Sequence, residues 1–249
     1  MSRGWHTHAV VIEGPERLSV DQLALQLPSE DDVVVDVEWS GISSGTERLL
    51  WFGRMPGFPG MGYPLVPGYE SVGRIAAAGS AALERRIGER VFVPGARCFG
   101  EIRGLFGGAA SRLVVPAARV TRVDEALGER AILLALAATA HHALAAPHAR
   151  PPELIVGHGV LGRLLARVSM ALGGPSPTVW ECNPARMGGA TGYDVRTAAS
   201  DGRRNYRAAY DASGDASLLD ELIDRLSHGG EVILEIGRAS CRERVASPV

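Results

Sequence analysis

Up to about Pro116 the apolar positions come in short β-branched runs. Residues 9–12, 33–39, 70–76, 90–93 and 111–115 each read as a strand, punctuated by turns rich in Gly, Pro or Asp. The run 32–38 partly alternates, as a strand with one wet face does. Between Leu50 and Pro67, Gly53, Gly57, Gly60 and Gly62 mix with Pro56, Pro59 and Pro64. That composition forbids regular helix, and a loop of this length inside a compact domain is usually functional. Around 125–146 the period turns helical, with Leu127, Ile132, Leu133, Leu136 and Leu144 set among alanines. Pro147, Pro151 and Pro152 then break it. From Glu153 the pattern is β-α-β: strands at 154–156, 178–180, 192–195, 208–211 and 231–234, helices at 161–172 and 218–226. Such alternation predicts an α/β architecture with a doubly wound parallel sheet.

Composition narrows the chemistry. The 249 residues are enough for two modest domains, 46% hydrophobic and 22% charged, an ordinary globular balance. A formal net charge of -2 gives no reason to expect nucleic acid. The longest apolar run, 131–140, is too short for a membrane span, and no signal segment opens the chain, so a cytoplasmic enzyme is expected. Cys98, Cys182 and Cys241 are far apart, which argues against a disulfide framework or a structural zinc site. All 26 basic residues are arginines. Without lysine there is no Walker-A phosphate loop, no Schiff-base chemistry and no tyrosine–lysine dehydrogenase mechanism.

Gly157-His158-Gly159-Val160-Leu161-Gly162 fits the dinucleotide fingerprint GxGxxG, follows a predicted strand and opens a predicted helix. Gly157 permits the tight turn, Gly159 lets backbone approach a pyrophosphate, and Gly162 lets helix and strand pack. The phosphates are expected at the helix N-terminus. Glu181 stands about 20 residues on, at the end of the second strand, where a carboxylate accepts from ribose hydroxyls and opposes a 2′-phosphate. NAD is therefore expected rather than NADP, with Arg186 over the adenine ring. A methyltransferase carries a similar glycine turn and acid, so the N-terminal domain must arbitrate.

There the resemblance becomes specific. Ser40-Gly41-Ile42-Ser43-Ser44-Gly45-Thr46-Glu47 resembles the segment that carries the first catalytic zinc ligand in medium-chain dehydrogenases. Pro67-Gly68-Tyr69-Glu70-Ser71-Val72-Gly73 resembles their Gly-His-Glu-x-x-Gly block, Gly88-Glu89-Arg90-Val91 their Gly-Asp-x-Val, and Asp211-Ala212-Ser213-Gly214 their fourth-strand turn. The resemblance spans almost the whole chain. It implies a GroES-like catalytic domain at 1–128, a linking helix and loop at 129–150, and a Rossmann domain at 151–234 that binds NAD through Gly157, Gly159, Val160, Leu161, Gly162, Glu181, Arg186 and Asp211.

The zinc ligands themselves are missing. Serine (Ser43) and tyrosine (Tyr69) stand at the cysteine and histidine positions, and the third position, near Ala137-Ala138-Thr139, offers neither Cys nor Asp. A catalytic zinc needs about three such protein ligands, so no metal is expected. His141 and His142 diverge by about 100° on a helix, so joint chelation is not expected.

Within this zinc-less branch, residues 45–51 and 56–64, with 93–98 and 104–110, resemble the bacteriochlorophyllide a dehydrogenase family. That family oxidises the 3-(1-hydroxyethyl) group of a chlorin or bacteriochlorin to 3-acetyl with NAD. The resemblance implies a macrocycle site on the loop carrying Trp51, Phe52, Met55, Phe58, Met61 and Tyr63, residues that could equally pack the loop. Arg48, Arg54 or Arg97 would pair with the propionate. Without zinc, alkoxide-like charge needs hydrogen-bond donors. Thr46 and Tyr69 lead, Ser43 and Ser44 are reserves, Glu70 orients the loop, and His141 is a candidate proton acceptor.

A zinc-less quinone or enoyl reductase and a non-catalytic nucleotide-binding relative are the alternatives, and homo-oligomerisation is left open. Residues 235–249 read as a non-native tail resembling a translated sequencing adapter, which leaves the dinucleotide sheet incomplete after five strands.

Overall fold

The valines expected as a half-wet strand sit on an interior strand of a sheet. The computed structural model describes residues 5–82 and 84–234, and the backbone of 243–246. It divides into two compact units, Met1–Ala135 and Leu136–Val249. The first contains β1 (His6–Gly14), β2 (Arg17–Ala24), β3 (Asp32–Ser40), the short helix α1 (Thr46–Trp51), β4 (Leu65–Val66), β5 (Ser71–Ala78), β6 (Arg90–Val93), β7 (Arg103–Gly104), β8 (Arg112–Pro116) and β9 (Thr121–Arg122). They form a four-stranded sheet ordered β2-β1-β4-β7 and a five-stranded one ordered β8-β3-β5-β6-β9. β3 pairs with β8 and β5 along its edges, and Val33, Val34 and Val35 are all buried, so the expected alternation is corrected to burial on both faces. With Val11, Val66, Ile75, Val93 and Leu113 they make the core of this unit. Each such side chain contributes about 1.5–3 kcal/mol on burial.

The helix expected over 125–146 is two pieces. A 3-10 helix, Glu125–Leu133, contains Gly128 at φ 54°, and α2 (Leu134–Leu144) follows. A left-handed glycine interrupts the helical period.

The second unit continues with β10 (Leu154–Val156), α3 (Val160–Ala171), β11 (Thr178–Trp180), β12 (Asp194–Arg196), β13 (Tyr206–Asp211), α4 (Leu219–Arg225), β14 (Leu226–Leu234) and β15 (Glu243–Ala246). The sheet order is β12-β11-β10-β13-β14-β15, parallel through β14 with β15 antiparallel. Five strands run parallel as far as Leu234, as expected, and the backbone of 243–246 adds an antiparallel pairing along β14. The rest of 235–249 lies outside the described residues. Helix α3 buries Gly162, Leu165, Ala166 and Ser169, the i, i+3, i+4, i+7 stripe that packs a helix on a sheet. Beneath the sheet, Asp201 Oδ2 accepts from Trp180 Nε1 at 2.7 Å and from the Tyr206 hydroxyl at 2.6 Å, and the Arg225 guanidinium lies 5.1 Å from the Trp180 ring centre. Strand order reverses beside β10, so the ligand crevice of such a sheet opens at the carboxyl ends of β10 and β13. Among the described residues no helix is long and apolar enough to cross a membrane.

Candidate functional site

The glycine loop between β10 and α3 has the backbone geometry of a dinucleotide cradle. Gly157 sits at φ +94°, and a Cβ there would lie 3.1 Å from the Ser213 backbone. A Cβ on Gly162 would overlap the Gly157 carbonyl oxygen, whereas one on Gly159 would meet nothing within 4 Å. The loop is thus packed behind and open at the front. Gly159 is the N-cap of α3 and supplies no side-chain cap, so the first-turn N–H groups are left for an anion. A pyrophosphate fits this donor set.

Glu181, 7% exposed, closes the loop from the end of β11. Its Oε2 accepts from His158 N at 3.0 Å and its Oε1 from Asn183 N at 2.8 Å. Burial alone would raise its pKa. The N–H groups of Asn183, His158 and Cys182, together with the Arg186 charge, outweigh that and hold the carboxyl below its ordinary value. Three donors on about four lone-pair sites leave room for one more. Asp211 Oδ1 accepts from Ser213 N at 2.8 Å and Ser213 Oγ at 2.6 Å, shaping the turn that abuts Gly157.

His158, the variable residue between two fingerprint glycines, is fully buried. Its Nδ1–H donates to the Arg186 carbonyl at 2.6 Å, and its Nε2 accepts from the Tyr193 hydroxyl at 2.7 Å. Burial, with the charge of Arg163 acting the same way, holds the ring below its ordinary pKa, so it is neutral at physiological pH. Arg163 Nη2 donates to the carbonyls of Arg186 at 2.9 Å and Gly188 at 2.8 Å, so α3 is tied to the segment after β11. Neither brace was foreseen. The GxGxxG pattern leaves both positions free.

In the first unit the fold brings together Ser43, Thr46, Tyr69 and Glu70. Ser43 Oγ accepts from Thr46 N at 3.4 Å and starts α1. The hydroxyls of Ser43 and Thr46 both reach the Tyr69 phenol, whose pKa burial pushes above its ordinary value. Tyr69 also meets Phe106 edge to face at 5.6 Å. Glu47, to which the sequence gives no role, joins this group in the first turn of α1. Burial, then the Glu47–Glu70 repulsion, raises its pKa to about 7. Among the described residues no three His, Cys, Asp or Glu side chains gather so as to hold a metal ion. His141 and His142 are exposed on α2, in the other unit.

The loop after α1 divides its aromatic and methionine residues. Met55, Met61 and Tyr63 pack on Ile12, Leu50, Leu65 and Leu105, so for Met61 the packing role is the one observed. Phe58 and Phe52 are exposed, and Trp51 is half-buried. The guanidiniums of Arg48 and Arg54 lie 5.9 and 5.5 Å from the Phe52 ring centre. Arg97 is exposed on a different loop.

The alcohol dehydrogenase GroES-like domain family matches residues 29–125. The 2-desacetyl-2-hydroxyethyl bacteriochlorophyllide A dehydrogenase of Rhodobacter capsulatus is 56% identical over 229 residues, covering 92% of this chain and 73% of that protein. Its counterpart from Cereibacter sphaeroides is 53% identical with the same coverage. Among solved structures, a putative zinc-binding dehydrogenase from Sinorhizobium meliloti bound to NADP superposes with a TM-score of 0.77 at 20% identity, covering 96% of this chain and 80% of that one. An alcohol dehydrogenase from Escherichia coli complexed with NADH gives 0.76 at 22% identity, covering 96% and 79%. At these identities the structures establish a shared fold.

Proposed function

Because this chain belongs to the 2-desacetyl-2-hydroxyethyl bacteriochlorophyllide A dehydrogenase family of medium-chain dehydrogenases, we propose that it oxidises the 3-(1-hydroxyethyl) group of a chlorophyllide or bacteriochlorophyllide to 3-acetyl, with NAD as acceptor. Identity above half over 92% of the chain is the observation that carries this reading. When bound, the nicotinamide supplies the hydride acceptor. The glycine loop and the N-terminus of α3 would hold its pyrophosphate, and Glu181 its adenosine ribose. An ionised Glu181 disfavours a second phosphate on that ribose, which supports NAD over NADP.

In this reading Ser43, Thr46 and Tyr69 take the place of a metal. Their hydroxyls stabilise the charge that grows on the alcohol oxygen, and losing one preorganised donor typically costs about 3–4 kcal/mol of barrier. The loop from Arg48 to Tyr63 receives the macrocycle. Exposed Phe52 and Phe58, with Trp51, offer apolar faces, and Arg48 and Arg54 flank Phe52 as partners for the propionate carboxylate. Incubation of the purified protein with NAD and a hydroxyethyl chlorin tests the reading. A red-shifted pigment band formed in step with NADH is expected, and an unchanged spectrum would sink the proposal.

A further inference from the structure

Two carboxyl groups beside the hydroxyl cluster, one on the buried Glu70 and one on the half-buried Glu47, each carry a buried oxygen with no hydrogen-bond partner among the described residues. Glu70 is 4% exposed, and among the described residues its Oε1 has no partner. Glu47 Oε2 is buried in the same condition. Glu70 is held from behind: Gly41 N donates to its carbonyl at 2.7 Å, and a Cβ on Gly41 would overlap its Oε2. Glu47 is held by α1, its N donating to Ser43 O at 3.1 Å. Both acids act electrostatically on Tyr69, and each bears an open acceptor. An unsatisfied buried acceptor costs about 1–3 kcal/mol, and two like charges out of water repel strongly. A single added proton relieves both penalties.

We propose that Glu47 and Glu70 together form the proton acceptor of the alcohol oxidation, taking one proton between them through the hydroxyls of Tyr69, Thr46 and Ser43. The inference rests on the dehydrogenase reading above. Oxidation breaks the C–H and O–H bonds of the secondary alcohol. The hydride leaves with its electron pair for the nicotinamide, and the O–H proton passes to a hydroxyl of the cluster. That hydroxyl gives its own proton to the ionised acid pair, which goes from two negative charges to one and later returns the proton to water. Glu47 and Glu70 act through the hydroxyls and are positioning residues. The proton belongs to the pair rather than to either acid. The charged or titratable groups that act on Glu47 are Glu70 and, across the cluster, Tyr69.

Infrared titration of the free protein reads this proton directly. A carboxylic acid C=O band, sensitive to heavy water, is expected near pH 6 and lost as pH rises through about 7, where Glu47 titrates. Glu47→Gln and Glu70→Gln should each move its loss to lower pH, because the acid that remains no longer faces a second charge. In turnover, the parent kcat should rise through the same pH. Glu47→Gln should lose this limb and at least about 100-fold in rate, the usual scale for a lost general base. Glu47→Asp should restore part of both, which a merely structural residue would not show. No titrating band in the parent, or an unchanged acid limb in Glu47→Gln, would overturn the proposal. A titrating band in a chain that oxidises no hydroxyethyl chlorin overturns the substrate reading instead and leaves the shared proton standing.

Discussion

Folded, Glu47 keeps its proton to about pH 7, whereas the same carboxyl freed from the fold releases it near 4.5. Between those values the native state binds the extra proton, so stability falls as pH rises through the window. Glu47→Gln should therefore be little changed below pH 4.5 and more stable than the parent at pH 8, by up to about 3 kcal/mol. Denaturant melts at the two pH values check this, and equal gains at both would remove the cause from Glu47. Glu181 behaves oppositely, being ionised and held by the backbone N–H groups of Asn183, His158 and Cys182. Glu181→Ala is expected to weaken NAD several-fold and narrow its margin over NADP. Titration of the parent showing NADP tighter than NAD would contradict the assigned role. Of these acids only Glu181 was readable in advance, since its place relative to the glycines is fixed by the β-α-β unit. The meaning of Glu47 comes from burial against Tyr69 and Glu70, which no local pattern encodes.

At the scale of elements, what was legible follows what each segment buries. The strand 178–180 was found at its observed bounds because Thr178, Val179 and Trp180 sit inside a covered sheet. β2 went unseen because its residues are almost all exposed at a sheet edge and leave no apolar stripe; its ladder with β1 forms it. The Gly- and Pro-rich loop was correctly read as irregular beyond Trp51, yet which of its side chains pack could not be read from composition. Met61 and Tyr63 anchor it, which leaves the Arg48–Phe52–Arg54 group facing outward. Arg48→Ala with Arg54→Ala should raise KM for the free-acid pigment about ten-fold or more, the scale of one lost charge-assisted contact. The methyl ester should be almost unaffected and kcat kept. Equal losses for acid and ester would place the carboxylate elsewhere.

Taken whole, the chain keeps the medium-chain dehydrogenase frame, and the sequence resemblance puts Ser43 and Tyr69 where that frame carries zinc ligands. Metal analysis of the purified protein should find no stoichiometric zinc, and turnover should survive strong chelators. One tightly held zinc per chain would require other ligands and a different mechanism. The two-unit division has an optical consequence. Of the four tryptophans, Trp5, Trp39 and Trp51 fall in the first unit and Trp180 alone in the second. Trp180 is buried, bound to Asp201 and stacked by Arg225, while Trp39 is exposed. The blue edge of the emission spectrum therefore reports the nucleotide-binding half and the red edge the other. One fluorescence melt can register whether the halves come apart together or in turn, without any label.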